Sequence, residues 1–338
     1  MAGVEVASGS VRVVVGRSEQ GRLHVSGRAQ APLAGGVVAA GVVTDPRAAA
    51  QAIASALEAA EHGQRSERVI LAIDGDDIRT YHGTTTFERE DQESAVSAGE
   101  ALRATREARE EAARNARLAA TDDPALRGIA TAELRGDLSG FVLDGRTLGS
   151  LVGYRGRYVE VRTDVVLAPL VLSGAATAAL DAARRRGGVT AGVYALGRLI
   201  AGSGTADAGV LRVTADLCAC ALLRDGRVNA TRTFALGRDA LSARGGSAAD
   251  AAIWARCVLA AFPDDGDLPA RWFVAGLPSE LAAFPRALAD VLAGQRGGSA
   301  DVVPLRPSDA ARAVGDASLG AEDLVAAGAA ALAAEVYA

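Results

Sequence analysis

The chain has 338 residues, of which 49% are hydrophobic and 23% charged, and its net charge is −5. That length and balance describe a globular chain with room for two cored domains, and the acidic excess with dispersed arginines excludes general nucleic-acid binding. All 36 basic residues are arginine, so no lysine can act as a Schiff base, a general base or a P-loop phosphate ligand.

Val4–Gly16 reads as a β-hairpin: an apolar strand, a short turn of small residues, and a second strand at Val11–Val15. A third strand at Arg22–Ala29 follows. Asp45 caps a helix with Pro46 at its first position, where a missing backbone donor costs nothing. The helix runs to about Glu61, with Ala49, Ala52, Ile53, Ala56, Leu57 and Ala60 on one face. Val69–Ile73 is a short apolar run of the buried parallel kind. Strand, helix and strand in this order predict an α/β layer.

The texture changes near Thr84. Asp91–Leu118 is a charge-rich helix, weakened at Gly99, whose charges form a solvated face. Strand-like stretches follow at Ile129–Leu134, Gly140–Val142 and Tyr158–Val166, with Asp144-Gly145 as a tight turn. This block reads as an inserted α+β module. The α/β texture returns with a helix at Pro169–Ala183, and Arg184-Arg185-Arg186 before Gly187-Gly188 reads as a helix C-terminus. Val193–Leu196 is expected as a strand, followed by Leu199–Ala201, and Ser203-Gly204 is the linker candidate.

The second half opens with another hairpin, Val210–Gly226, containing the strand Cys218–Leu223 and the turn Asp225-Gly226. A strand at Val228–Ala235, a helix at Ser247–Ala261, a strand at Trp272–Ala275, a helix at Ser279–Ala293 and a short strand at Val302-Val303 follow. Glu322–Val336 closes the chain as an Ala-rich helix. Two halves that begin alike predict a duplicated domain with a cleft between the copies. Cys218, Cys220 and Cys257 make no disulfide framework. Cys218 and Cys220 lie on one face of a strand and read as small buried hydrophobes rather than a zinc site. The start has no signal-peptide pattern, and no run is long enough for a membrane span, so a cytoplasmic protein is expected.

Several segments carry a family pattern. Gly41-Val42-Val43-Thr44-Asp45 precedes a helix ending Leu57-Glu58-Ala59-Ala60-Glu61. Leu71 to Arg79 forms a strand and turn; Phe141 to Gly145 and Val152 to Val161 lie in the inserted module. Asp225-Gly226-Arg227 is followed by Phe234-Ala235-Leu236-Gly237. In this order they resemble the bacterial cell-division actin homologue FtsA over nearly the whole chain. The resemblance implies an α/β, actin-like (ribonuclease H-like) two-domain fold with an inserted α+β subdomain of the SHS2 type and a reduced fourth subdomain. Its bounds would be 1–83 and 168–202 for the first domain, 84–167 for the insertion, and 203–338 for the second domain, with a reduced insertion at about 238–271.

The same resemblance marks the departures. In actin-like ATPases each hairpin's first strand ends in an aspartate, followed by small residues that let backbone N–H groups approach phosphate and Mg²⁺. Here Glu5 stands at the first aspartate and Ala7 replaces a glycine. Arg212 stands at the second aspartate, and Leu217 and Ala219 replace the hydroxyl and acidic residues after it. The adenosine loop is reduced to Ala275-Gly276-Leu277-Pro278, where proline removes a donor. Glu5, Ser8, Gly9, Ser10, Asp216 and Gly276 are therefore the residues of a vestigial nucleotide cleft. No catalytic residue, metal ligand or cofactor is expected, with ATP and Mg²⁺ the ligands of a cleft that still functions.

The expected function is an FtsA-like scaffold in cell division, a pseudo-ATPase that docks proteins through the inserted module. An ATP-binding FtsA-type protein with drifted motifs, and a protein similar to the pilus-assembly protein PilM, are the alternatives. Expected partners are division or envelope proteins, FtsZ-like or a membrane-protein tail, together with self-association. Nucleic acid is excluded. Direct membrane binding is not expected, because the last helix carries only Glu322, Asp323 and Glu335 as charges and no basic amphipathic tail follows. That helix is expected to pack on the second domain through Leu324, Val325, Leu332 and Val336.

Overall fold

The computed structural model describes residues 1–263, 266–315 and 318–335. In chain order the first elements are β1 (Ala2–Ala7), β2 (Ser10–Glu19), β3 (Arg22–Pro32), β4 (Val38–Ala39), β5 (Val42–Val43), α1 (Pro46–Glu61) and β6 (Val69–Ile73). Next come β7 (Arg79–Glu88), α2 (Ala98–Asp122), β8 (Thr131–Leu143), β9 (Arg146–Leu148) and β10 (Tyr158–Pro169). Then follow α3 (Leu170–Ala182), β11 (Gly187–Ala191), α4 (Gly192–Gly202), β12 (Ala208–Val213), β13 (Cys218–Arg224) and β14 (Arg227–Phe234). The last are α5 (Arg238–Ala243), α6 (Ala248–Ala260), β15 (Arg271–Ala275), α7 (Ala283–Arg296), β16 (Asp301–Pro304) and α8 (Leu324–Glu335). These elements form two compact units, Met1–Ile78 with Val171–Ala338, and Arg79–Leu170.

The larger unit holds two five-stranded sheets with one strand order. The first runs β11-β6-β1-β2-β3 and the second β14-β13-β12-β15-β16. In each, a hairpin strand pairs antiparallel on one side and a β-strand reached through helical chain pairs parallel on the other. We call the halves lobe one and lobe two. Asp45 caps α1 by accepting from the N–H groups of Arg47 and Ala48, both at 3.0 Å, so the expected start and end of this helix hold. The β13–β14 turn has Asp225 at φ 51° and Gly226 at φ 72°. Both central residues are left-handed, the geometry that matches a right-twisted hairpin.

Lobe one differs from the sequence expectation at two elements. Val193–Leu196 and Leu199–Ala201 belong to the helix α4, not to a strand. Val193, Tyr194, Ala195, Leu196, Leu199 and Ile200 are all buried, and an apolar run buried on every side carries no periodicity by which to tell helix from strand. The closing helix α8 packs on β1, β2 and β6 of lobe one rather than on the second domain's sheet, and on α4, which itself lies against β12, β13 and β14 of lobe two. Leu324, Val325 and Leu332 are buried there, and Val336 lies outside the described residues. The contact depends on two glycines: an ideal Cβ at Gly3 would lie 1.9 Å from the Ala326 carbonyl oxygen, and one at Gly328 would lie 2.4 Å from that of Ala195.

The smaller unit is a sheet ordered β7-β10-β8-β9 with α2 on one face. The strands expected at Ile129–Leu134 and Gly140–Val142 are one continuous strand, β8, and β7 is a strand that its Thr-rich sequence conceals. The helix begins at Ala98 rather than Asp91, with Ser97 accepting from the Glu100 N–H at 3.2 Å. Its buried stripe is wholly alanine (Ala108, Ala112, Ala113, Ala116 and Ala120), which lets it lie close to Phe141, Val159, Val161 and Val165 of the sheet. Among the described residues no helix is long and apolar enough to cross a membrane.

Candidate functional site

The two hairpins place Glu5 and Arg212 at matching positions. Glu5 pairs with Ala72 at the end of the β1–β6 ladder, and Arg212 pairs with Ala275 at the end of the β12–β15 ladder. Both side chains are buried and they meet: Arg212 Nη2 forms an ion pair with Glu5 Oε1, while its Nη1 donates to Asp74 Oδ2. Asp74 directly follows β6, and its Oδ1 accepts from the Val193 N–H at the start of α4 at 2.8 Å. A carboxylate there is favoured by the unsatisfied amides of the helix N-terminus. Sequence reasoning placed Asp74 in a turn and missed its role, since its partner lies 138 residues away.

Burial pushes the Asp74 carboxyl up to about 6, against the opposing donation of the Val193 and Gly192 N–H groups. Burial likewise pushes Arg212 down to about 10, with Asp216 raising it and Arg238 lowering it. Taking charges out of water is costly unless each finds a partner. One guanidinium facing two carboxylates gives each ion a partner, and leaves Glu5 Oε2 buried without a hydrogen bond among the described residues.

Ser8 and Asp216 also come together. Ser8 Oγ donates to Asp216 Oδ2 at 2.7 Å, the Ala40 N–H donates to the same oxygen, and Thr214 Oγ1 donates to Oδ1 at 3.2 Å. Thr233 Oγ1 in turn donates to the Gly75 carbonyl at 3.0 Å. Each tie except that of Thr214 joins lobe one to lobe two. Gly9, at φ 90°, faces open space at the turn, and Ser10 starts β2 opposite Ala7. Gly276 has φ 78°, and a Cβ there would lie 2.2 Å from the Val213 carbonyl oxygen, so the residue closes against β12.

Between the lobes remains a recess of about 220 Å³ that Glu5, Ser8, Ser10, Arg12, Arg238 and Gly276 help to line. A separate cavity lined by Ser8, Asp74, Arg212 and Asp216 measures only about 10 Å³. Small-ligand pockets usually measure about 300–1,000 Å³. The residues do not fit a nucleotide with its metal: Glu5 and Asp74 already hold the Arg212 guanidinium, and the oxygens of Asp216 are taken by Ser8, Ala40 and Thr214. Cys218 and Cys220 are buried side by side on β13, and burial pushes the Cys218 thiol up to about 12. The Trp254 indole N–H points at Cys218 Sγ at 3.2 Å.

Comparison with known proteins adds the fold. No protein-family model matches the chain, and no curated protein sequence does so either. Among solved structures it is similar to that of the PilM-PilN type IV pilus biogenesis complex, with 21% identity, 99% of this chain and 98% of that one covered, and a TM-score of 0.55. It is also similar to the ethanolamine utilization protein EutJ from Carboxydothermus hydrogenoformans, with 12% identity, 98% and 88% covered, and a TM-score of 0.49. An inorganic polyphosphate/ATP-glucomannokinase from Arthrobacter sp. strain KM matches with 12% identity, 99% and 98% covered, and a TM-score of 0.47. The chain has the two-domain actin-like ATPase fold. Likeness at these identities shows the fold alone.

Proposed function

We propose that this chain is a scaffold on the actin-like fold that does not hydrolyse nucleotide and works by docking protein partners of an envelope-associated assembly. One observation carries the reading: Arg212 pairs with both Glu5 and Asp74, so a side chain joins the lobes where an actin-type ATPase uses nucleotide and metal. Glu5, Ser8, Gly9, Ser10, Asp216 and Gly276 then outline a vestigial cleft whose polar groups serve interlobe cohesion. The docking surface belongs to the inserted subdomain, 84–167. FtsA-like cell division is the setting that the sequence motifs favour. A PilM-like role in pilus assembly is the second reading, favoured by the whole-chain similarity to the PilM-PilN structure.

Thermal unfolding with and without ATP and Mg²⁺ tests the reading, because a ligand that binds only the native state raises its stability, by about 2.7 kcal/mol at a hundred times Kd. The expected Tm is unchanged at millimolar nucleotide. A rise of several degrees, with a hydrolysis rate that disappears in Glu5→Ala, would return the chain to the ATP-binding class.

A further inference from the structure

The smaller unit carries a recess on which the cleft makes no demand. Phe87, Val96, Ala101, Ala104, Leu151 and Val159 give it an apolar floor, in a cavity of about 390 Å³ at the end of β7, the start of β10 and the first turns of α2. Its rim is acidic. Glu88, Glu90, Asp91, Glu100 and Glu107 line it together with Arg89 and Arg103, and Arg157 donates to Glu88 at 2.6 and 2.8 Å.

The walls are set in advance. Arg89 is buried, and its guanidinium donates to both Glu100 oxygens at 2.6 and 3.2 Å and to the carbonyls of Ser94 and Gly156 at 3.1 and 2.9 Å. Its charge is therefore spent inside the wall. Asp91 Oδ1 accepts from the N–H groups of Glu93 and Ser94, and these donors hold its carboxyl below the usual range. Val96 exchanges backbone hydrogen bonds with Tyr154 and Gly153 at 2.8 and 2.9 Å. This fixes the segment after Leu151, where Val152 and Tyr154 are 47% and 51% exposed.

We propose that this recess docks a cationic peptide segment of a protein partner, which sets one apolar side chain on the floor and arginine or lysine side chains on the rim. The proposal rests on the docking reading above and names the partner's chemistry. Charge complementarity selects the occupant: with Glu100 paired to Arg89 and Glu88 to Arg157, the lining keeps Glu90, Asp91 and Glu107 against Arg103, an acidic excess. Exposed ion pairs add little affinity singly but set specificity and encounter rate. The buried apolar anchor supplies most of the affinity. A cavity of this volume suits one large side chain and its neighbours. A second copy of this chain, itself acidic, is a poor complement.

Fluorescence anisotropy with the full chain decides it, using three labelled synthetic peptides. One is arginine-rich with a central phenylalanine, one has alanine in place of that phenylalanine, and one has glutamate in place of each arginine. The first is expected to bind saturably and more weakly as salt rises from about 50 to about 300 mM. The alanine peptide should bind about tenfold less tightly and the glutamate peptide not at all. Glu90→Arg with Glu107→Arg, both at exposed positions, should cost about tenfold with an unchanged circular dichroism spectrum. Ala104→Leu, which fills the floor without touching charge, should weaken the phenylalanine peptide alone. Absence of saturable binding, equal binding of the glutamate peptide, or unaltered binding by both variants would overturn the proposal. So would a dimer, seen by sedimentation, that the double charge reversal dissociates, because the occupant would then be a second copy. Peptide affinity is independent of the cleft, so ATP stabilisation with intact peptide binding removes the scaffold reading alone, and the converse result removes only this one.

Discussion

The two lobes share a strand order and fill the space behind it by different means. Lobe one packs through small residues and close backbone approach: an ideal Cβ at Gly27 would lie 1.9 Å from the Ala60 carbonyl oxygen, as one at Gly3 would from that of Ala326. Lobe two packs through aromatics. Trp254 meets Phe284 edge-on with ring centres 5.5 Å apart, and Phe262 meets Trp272 in the same way at 6.4 Å. A duplicated topology therefore fixes the ladders and leaves the core free to diverge. Divergence reaches the cleft too: at one register position lobe one presents a carboxylate and lobe two a guanidinium. That inversion turns a pair of positions suited to sharing a cation into a salt bridge between the lobes.

The largest test of this contrast is Arg212→Ala. It leaves Glu5 and Asp74 buried together without a cation, and removing one member of a buried ion group costs about 3–5 kcal/mol. Urea unfolding should read a loss of that size at pH 7. Replacing all three side chains with apolar ones of similar volume should cost far less, because no unpaired charge is left behind. A loss below about 1 kcal/mol for Arg212→Ala would mean that the lobes do not depend on this contact, and the comparison would lose its central term.

Lobe one also carries an ion pair between the end of α1 and the chain before β11. Arg185 donates to both oxygens of Glu61 at 2.9 and 2.8 Å, and the Ser66 N–H adds a third donor at 2.8 Å. Burial alone raises this carboxyl, but the donors outweigh it and hold Glu61 below its ordinary value of 4.5. Glu61→Gln should cost about 2 kcal/mol at neutral pH, the scale of a charge-assisted hydrogen bond. A carboxyl depressed in the folded state contributes stability that is present above its unfolded value and lost as pH falls through its folded one. The deficit of the variant should therefore be full at pH 7 and close below about pH 4. A deficit constant across that range would assign the effect to packing instead.

Local signals were readable in the sequence; distant partners were not. Asp45-Pro46 marked the start of α1, and Asp-Gly pairs marked the turns at Asp144 and Asp225, because capping and left-handed backbone are decided within a few residues. The Arg212 inversion was visible as a departure from the FtsA-like pattern. Its partner Asp74 was not, and Arg185 read only as part of a basic helix end, because a bidentate contact 124 residues away leaves no local trace. The failures at α4 and α8 share a cause. Where every side is buried no apolar face stands out, and an Ala-rich helix does not announce which sheet it will cover. In β7 the run Thr84-Thr85-Thr86 puts the same residue on both faces of the strand, which removes the apolar contrast that makes one legible.

The smallest expected effect concerns Ser8, which separates a living phosphate loop from a structural one. In a working loop a short hydroxyl after the first strand would be kept free for ligand. Here Ser8 Oγ donates to Asp216 Oδ2 across the lobes at 2.7 Å, and Asp216 keeps further donors in the Ala40 N–H and the Thr214 hydroxyl. Ser8→Ala should therefore cost about 1 kcal/mol, the net worth of one hydrogen bond whose acceptor stays satisfied. Asp216→Ala should cost more, because it strands the Ser8 hydroxyl and the Ala40 N–H, whereas Ser8→Ala strands no donor and the Thr214 hydroxyl keeps the Leu217 carbonyl. The order of the two losses matters more than their size: the more deeply shared group, Asp216, must be the more damaging to remove. If Ser8→Ala changed stability by nothing measurable while Asp216→Ala cost several kcal/mol, the first hairpin would be a bystander, and cohesion between the lobes would rest on Arg212 and the second hairpin alone.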